Sequence, residues 1–342
     1  MTTGLHAAVR RLAEAGTLTS EETAEAFAVI MRGEATPALI GALLLGLRSR
    51  GETADEVAGA AQAMRDAMVT VRPTAGSPVV DTCGTGGGGV STFNVSTAAG
   101  FVAAAAGARV AKHGNRSYTS KCGSADVLEA LGVDIMIGAE QAPAALDQAG
   151  MVFLFAPNYH PAMRHVGPAR KELGVPTIMN LLGPLANPAG VRRQVIGVAD
   201  PARAPLLAEA LLRLGAEHAL VVHGEVGMDE ISPAGETVVW EVRDGSVITW
   251  RLDPSDYGLE WAAVGELAGG MPEENAARIE RLLETEADES ARRAVLLNAA
   301  AGIYVAGLAS SYGEAVELAV EALASRRAAE VLARLRTCAG RS

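Results

Sequence analysis

The hydrophobic rhythm of the chain changes at residues 73–78, and no other feature restricts the fold as much. Beyond that point short β-branched runs alternate with alanine-rich stretches of helical length. Strands are expected at 79–81, 109–112, 133–137, 152–155, 195–198 and 219–223, and helices around 97–106, 124–131, 142–149 and 201–214. Parallel strands need long crossovers, so this alternation specifies a largely parallel sheet with helices on its faces. Residues 1–72 read as helices only. Leu5, Val9 and Leu12 share a face, Thr19 with Glu22 and Thr53 with Glu56 make capping boxes, and Thr36 precedes Pro37 as an N-cap before proline. Leu39, Ile40, Leu43, Leu44 and Leu47 form an apolar stripe that needs a partner surface. Residues 161–174 suggest a return to the helical unit, and 238–252 a small antiparallel appendage turning at Asp244-Gly245. The tail is expected to be helical at 273–283, 291–306 and 312–335. The expected fold is α/β. Its small all-helical domain takes 1–72 with about 161–189; its larger α/β domain, with a mostly parallel central sheet, takes 73–160 with about 190–342.

A length of 342 residues fits two domains. The net charge of −11 argues against a nucleic-acid partner, which needs a basic stripe. No apolar run approaches the roughly 18 residues of a membrane span, so no membrane association is expected. Cys83, Cys122 and Cys338 show neither metal-ligand spacing nor an even disulfide framework, which fits a cytoplasmic location. The charge is unevenly spread. Residues 82–125 contain no Asp or Glu but carry Arg109, Lys112, Arg116 and Lys121; residues 156–171 are likewise acid-free and carry Arg164, Arg170 and Lys171. Two acid-free basic stretches in an acidic protein point to a small anion.

Three clusters carry the chemistry. The first is Asp81-Thr-Cys-Gly-Thr-Gly-Gly-Gly-Gly89, directly after the first expected α/β strand, followed by Asn94-Val95-Ser96-Thr97, whose side chains suit the N-cap of the alanine-rich helix after it. Glycines let backbone turn tightly against a ligand, and a helix start presents free N–H groups to an anion. Gly84, Gly86 and Gly89 match G-x-G-x-x-G, but the acid expected about twenty residues later is missing, and no G-K-[ST] follows. Neither common nucleotide loop is present. The second cluster runs from Lys112 through His113, Gly114, Asn115, Arg116, Ser117, Tyr118, Thr119 and Ser120 to Ser124 and Asp126. It follows a strand, where α/β sheets bind ligands, and its cations, amide and hydroxyls suit a diphosphate or a sugar phosphate. Asp126 reads as a helix first-turn acid. The third is Asp229-Glu230 after an apolar strand, a pair suited to hydrated magnesium that bridges diphosphate oxygens. His160 and His165 carry no metal-ligand pattern and read as structural.

Together these motifs resemble the anthranilate phosphoribosyltransferases. The resemblance runs over nearly the whole chain, with its most specific stretches at Gly84–Gly87, Asn94–Thr97, Lys112–Arg116, Gly123–Gly132, His160–Gly174 and Asn180–Pro188. It implies a nucleoside phosphorylase/phosphoribosyltransferase-like architecture and a cytoplasmic homodimer that transfers phosphoribose from phosphoribosyl diphosphate to anthranilate in tryptophan biosynthesis. By position, Gly84, Gly87, Gly88, Thr92, Asn94, Val95, Ser96, Thr97, Lys112, His113, Gly114, Asn115, Arg116, Ser117, Tyr118, Thr119, Ser120, Ser124 and Arg170 would bind substrates. Ser96, Asp229 and Glu230 would serve two magnesium ions. Lys112, Asn115 and Arg170 would be the catalytic residues, Arg170 pairing with the aromatic carboxylate through its two-pronged guanidinium. The family's loop usually ends G-T-G-G-D, whereas this chain has Gly88 there, and Cys83 and Cys122 stand where valine and serine are commoner. A pyrimidine nucleoside phosphorylase shares the architecture but uses phosphate, and a binding protein without catalysis is the reading from another class.

Overall fold

The computed structural model describes residues 3–117 and 121–339, so Tyr118, Thr119 and Ser120 lie outside the described residues. Helices α1 (Thr3–Ala13), α2 (Ser20–Met31), α3 (Pro37–Arg50) and α4 (Ala54–Asp66) open the chain. Their starts follow from local chemistry. Thr19 Oγ1 accepts the Glu22 N–H while Glu22 receives the Thr19 N–H at 2.9 Å, and Thr53 and Glu56 repeat the exchange. The leucine stripe of α3 buries Leu43, Leu44 and Leu47 completely, alongside Phe27 and Val57. Helices α2 and α4 close tightly over Gly59, where a Cβ would lie 2.1 Å from the Ser20 carbonyl oxygen.

The rest alternates: β1 (Val79–Gly84), α5 (Val95–Ala105), β2 (Arg109–Gly114), α6 (Ser124–Ala130), α7 (Ala142–Ala149), β3 (Met151–Phe155), α8 (Ala156–Tyr159), α9 (Gly167–Leu173), α10 (Met179–Leu185), β4 (Arg193–Gly197), α11 (Ala204–Arg213), β5 (His218–Gly224), β6 (Thr237–Arg243) and β7 (Ser246–Leu252). Four helices finish the chain: α12 (Pro272–Thr285), α13 (Glu289–Ala306), α14 (Tyr312–Ala324) and α15 (Arg327–Ala339). The seven strands lie in the order β3-β2-β1-β4-β5-β6-β7, parallel through β5 and antiparallel beyond it. Alternate strand residues face opposite sides. Leu220 and Val222 therefore join the core under α5 and α13, while Ala219 and Val221 join α11 and the helical unit. Helices α9 and α10 bury Ala169, Leu181 and Leu182 in that second cluster, beside α2 to α4. Successive strands leave β1 toward β2 and β3 on one side and lie as β4 and β5 on the other, so the topological switch falls between β1 and β4. Ligands of open α/β sheets gather outside the carboxyl ends of the strands at such a point.

The α/β architecture is as expected, with three local differences. Residues 133–137 alternate burial (Val133, Ile135 and Ile137 inside, Met136 60% exposed) but form no ladder. The Asp134 carboxylate takes the Met136 N–H at 2.8 Å, a bond a neighbouring strand would otherwise supply. The hairpin at Asp244-Gly245, both with positive φ, extends the main sheet, since β6 pairs with β5 from His218 to Gly224. The expected helix at 312–335 breaks at Arg326 (φ +61°), which lets α15 turn and bury Ala328, Val331, Leu332 and Leu335. Among the described residues, no helix is long and apolar enough to cross a membrane.

Candidate active site

Strand β1 ends at Gly84, where the chain enters the glycine loop that leads to α5. Gly86 and Gly87 adopt φ of +67° and +80°, conformations that L side chains rarely take. Gly84 and Gly88 flank the Asp229 carboxylate: a Cβ on Gly84 would lie 3.2 Å from Asp229 Oδ2, and one on Gly88 3.2 Å from Oδ1. Position 88 thus points at the acid pair, and the glycine there leaves Asp229 without a third carboxylate beside it. Gly197 at the end of β4 admits the loop that carries the acid pair, because a Cβ there would sit 1.7 Å from the Asp229 carbonyl oxygen. The Thr85 N–H donates to the Gly197 carbonyl at 2.8 Å, tying the glycine loop to β4.

Asp229 and Glu230 are both half-buried at this junction. Glu230 Oε1 accepts the Ser96 N–H at 3.2 Å, linking the acid pair to the first turn of α5. Removal from water and, second, repulsion by Asp229 push the Glu230 carboxyl up to about 8, with Lys112 and Ser96 opposing. Desolvation raises Asp229 as well. Lys112, only 1% exposed, donates to the Thr82 carbonyl and, at 3.2 Å, to Ser96 Oγ. Its ammonium therefore meets the acid pair through Ser96, whose N–H goes to Glu230. Burial likewise raises Asp81 to about 6, against the pull of Lys112 and hydrogen bonds from Asn187 Nδ2 (2.8 Å) and the His113 N–H (3.2 Å). The strand ends thus carry one buried cation among carboxylates held above their ordinary range, an arrangement that favours a further cation.

The loop after β2 is more self-contained. Arg116 pairs with Asp126 at 2.8 Å and with Glu129, while Asp126 also receives the Gly123 N–H at 2.8 Å and the Ser117 N–H at 3.3 Å. Arg109 pairs with Asp147 at 2.7 Å. The acid-free run is therefore compensated in space by acids from outside it, and Lys112 is the cation it delivers to the acid pair. Asn115 is exposed, and its carbonyl accepts from Ser124 Oγ at 3.3 Å. Gly114 is required where it packs, since a Cβ would lie 2.2 Å from Ser124 Oγ.

Asn94 does not cap α5 with its side chain. Its Nδ2 donates to the Cys122 carbonyl at 3.2 Å, and its Oδ1 accepts from Asn275 Nδ2 at 3.0 Å. It is a clasp joining the glycine loop, the basic loop and α12. Thr92 is half-buried and bridges Ala268. Val95 turns into the core and its N–H goes to the Phe93 carbonyl at 2.7 Å; the Thr97 side chain is also fully buried. Neither side chain reaches the acid pair. His113 and His160 pack with ring centroids 5.1 Å apart and planes tilted by 50°, with His113 Nδ1 at 3.2 Å from the Gly183 carbonyl. Burial lowers His113 to about 3 and His160 to about 4, so both rings are neutral at pH 7. Arg170 sits half-buried on α9, on the helical side. The structure thus brings Gly84, Gly88, Ser96, Lys112, Asp229 and Glu230 together, sets Asn115 and Ser124 in and just after the adjoining loop that Asn94 clasps, and carries Arg170 on a separate helix. Asn275 and Asn298 support this arrangement unannounced by any motif, because the segments they join are remote in sequence; Asp81 and Asn187 lie in stretches that stand out in the sequence, but their pairing does not.

The chain matches two family models in sequence, the helical bundle domain of a glycosyl transferase family over residues 6–68 and the a/b domain of that family over 76–329. It is 49% identical over 326 residues to the anthranilate phosphoribosyltransferase of Geobacillus kaustophilus, covering 95% of this chain and 96% of that one. It is 51% identical to anthranilate phosphoribosyltransferase 2 of Streptomyces coelicolor, covering 93% and 94%. The crystal structure of the Thermus thermophilus anthranilate phosphoribosyltransferase superposes with a TM-score of 0.91 at 47% identity, covering 97% of this chain and 98% of that one. The Saccharomyces cerevisiae enzyme in complex with PRPP and Mg superposes at 0.88 with 29% identity, covering 99% and 98%.

Proposed function

Because the chain belongs to the anthranilate phosphoribosyltransferase family, we propose that it transfers the 5-phosphoribosyl group from phosphoribosyl diphosphate to anthranilate. The products are N-(5-phosphoribosyl)anthranilate and diphosphate, a step of tryptophan biosynthesis. The observation that carries the reading is the meeting of the glycine loop, Lys112 and the Asp229–Glu230 pair at the switch point of the sheet.

Magnesium fits the donors present. Two carboxylates and the Ser96 hydroxyl are hard oxygen ligands, too few for a closed cage, and no group of three His, Cys, Asp or Glu side chains suited to a metal occurs among the described residues. That suits an ion which keeps several waters and shares diphosphate oxygens. When bound, magnesium supplies positive charge against the leaving diphosphate; two ions are the reading here. The chain's own residues do the rest. Glycine-loop amides and the start of α5 receive phosphate oxygens, and Lys112 holds Ser96 while its charge opposes the carboxylates. An aromatic amine is neutral at pH 7 and needs alignment more than deprotonation. Arg170 pairs with the anthranilate carboxylate and Asn115 orients the ring, which requires the helical unit, 1–72 with about 161–189, to face the larger domain. The remaining substrate contacts are read at Gly87, Thr92, Asn94, Thr97, His113, Gly114, Ser117 and Ser124. A cytoplasmic homodimer is part of the proposal, supported by Leu45, 46% exposed on α3 beside the exposed Ala38 and Ala42.

The test is to mix the protein with phosphoribosyl diphosphate, magnesium and anthranilate, following anthranilate fluorescence and released diphosphate together. Equal loss of one and gain of the other supports the transfer. Phosphate-dependent cleavage of a pyrimidine nucleoside with no diphosphate release overturns it in favour of a phosphorylase.

A further inference from the structure

The acid pair sits on a loop, and a loop alone does not hold two like charges side by side and turned toward one spot. We propose that Asn298 of α13 is a positioning residue for Asp229 and Glu230, an inference that rests on their reading as metal ligands. Asn298 is 4% exposed and lies among the buried Leu296, Leu297, Ala299 and Ala300. A polar amide in such a place is costly unless its hydrogen bonds are made. Its Oδ1 accepts the Ile231 N–H at 3.0 Å, and its Nδ2 donates to the Ile231 carbonyl at 2.9 Å and the Ala294 carbonyl at 2.9 Å. Turning the amide over would set two acceptors against each other and two donors against each other, so the orientation is fixed.

This two-pronged grip falls on the residue directly after Glu230. Ahead of the pair, Met228 is anchored to Gly224 by reciprocal backbone bonds of 3.1 and 3.0 Å. Gly197 presses against Asp229 from β4. Between the two anchors lie Asp229 and Glu230 alone, so Asn298 settles the direction in which Glu230 leaves the backbone. It touches neither substrate nor metal on this reading; it acts through the peptide at Ile231. Supporting groups of this kind set metal affinity by orienting the ligands.

The probe is Mn²⁺, titrated into the protein with phosphoribosyl diphosphate and followed by electron paramagnetic resonance of the free ion, with the thermal midpoint of each variant measured in parallel. Asn298→Ala weakens Mn²⁺ binding by about 10- to 100-fold and raises the KM for phosphoribosyl diphosphate while the KM for anthranilate stays at the parent value. Asn298→Ser, uncharged and smaller, keeps a hydroxyl able to donate or accept there and carries the test if the alanine variant does not fold; it falls between parent and alanine. Leu296→Ala, a cavity in the same helix, lowers the midpoint and leaves Mn²⁺ binding alone. The proposal is overturned if folded Asn298→Ala or Asn298→Ser binds Mn²⁺ as the parent does, or if Leu296→Ala weakens binding as much. Should Glu230→Gln itself leave Mn²⁺ binding unchanged, the metal assignment fails and takes this inference with it.

Discussion

Glu56 in the helical unit and Glu230 beside the glycine loop are both drawn out of bulk water, and their surroundings could hardly differ more. Glu56 is completely buried, yet Arg50 donates to both its oxygens while the Leu18 and Thr53 N–H groups add bonds of 2.9 and 2.8 Å. Glu230 receives Ser96, lies next to a second carboxylate, and is pushed up to about 8 for want of compensation. A buried charge that serves the scaffold brings its donors with it; one that serves a ligand is left short of them. The first carboxylate should cost stability when removed, and the second should cost function.

The largest effect tests the second half. Asp229→Ala with Glu230→Ala is expected to abolish turnover while circular dichroism and the thermal midpoint remain those of a folded protein. Near-normal activity in magnesium buffer would dissolve the contrast. Next, Glu56→Ala strands Arg50 and should lower unfolding free energy by about 3–5 kcal/mol in denaturant titration, with the kcat of the folded fraction unchanged.

At Glu230 a smaller effect of opposite sign is expected. In metal-free buffer Glu230 holds its proton more tightly folded than unfolded, because its folded value near 8 exceeds the ordinary 4.5. The folded state therefore binds the extra proton between those limits, and stability falls as pH rises through the window. Glu230→Gln removes that loss: relative to the parent it should gain about 1–3 kcal/mol above pH 8 and little at pH 4.5. A loss at pH 8 would place Glu230 in the same class as Glu56. The smallest expected change is at Arg170, where Arg170→Ala should raise the KM for anthranilate about tenfold, the worth of one charge-assisted contact, and leave phosphoribosyl diphosphate binding alone. An unchanged response to anthranilate would remove Arg170 from the site.

What was legible in the sequence follows the same division. Glu56 could be read from its spacing to Thr53, because a capping box is local, and the strand–helix alternation gave the sheet for the same reason. The glycine loop, Lys112 and the acid pair stood out as residue types placed after strands. Their mutual placement did not, nor did the break at Arg326, which has no glycine or proline to mark it. Asn94 looked like a helix cap and is instead a clasp to Cys122 and Asn275. Asn187 reaching Asp81, and Asn298 reaching Ile231, leave no periodic trace, since each joins segments that only the fold brings together.

The most direct test is calorimetric titration of phosphoribosyl diphosphate into the parent protein, first with magnesium and then with a chelator. Tight binding that vanishes with the chelator, and that Asp229→Ala with Glu230→Ala also loses, is the predicted result. Equal affinity in all three experiments would contradict the assignment of this corner of the sheet to a metal-bound diphosphate.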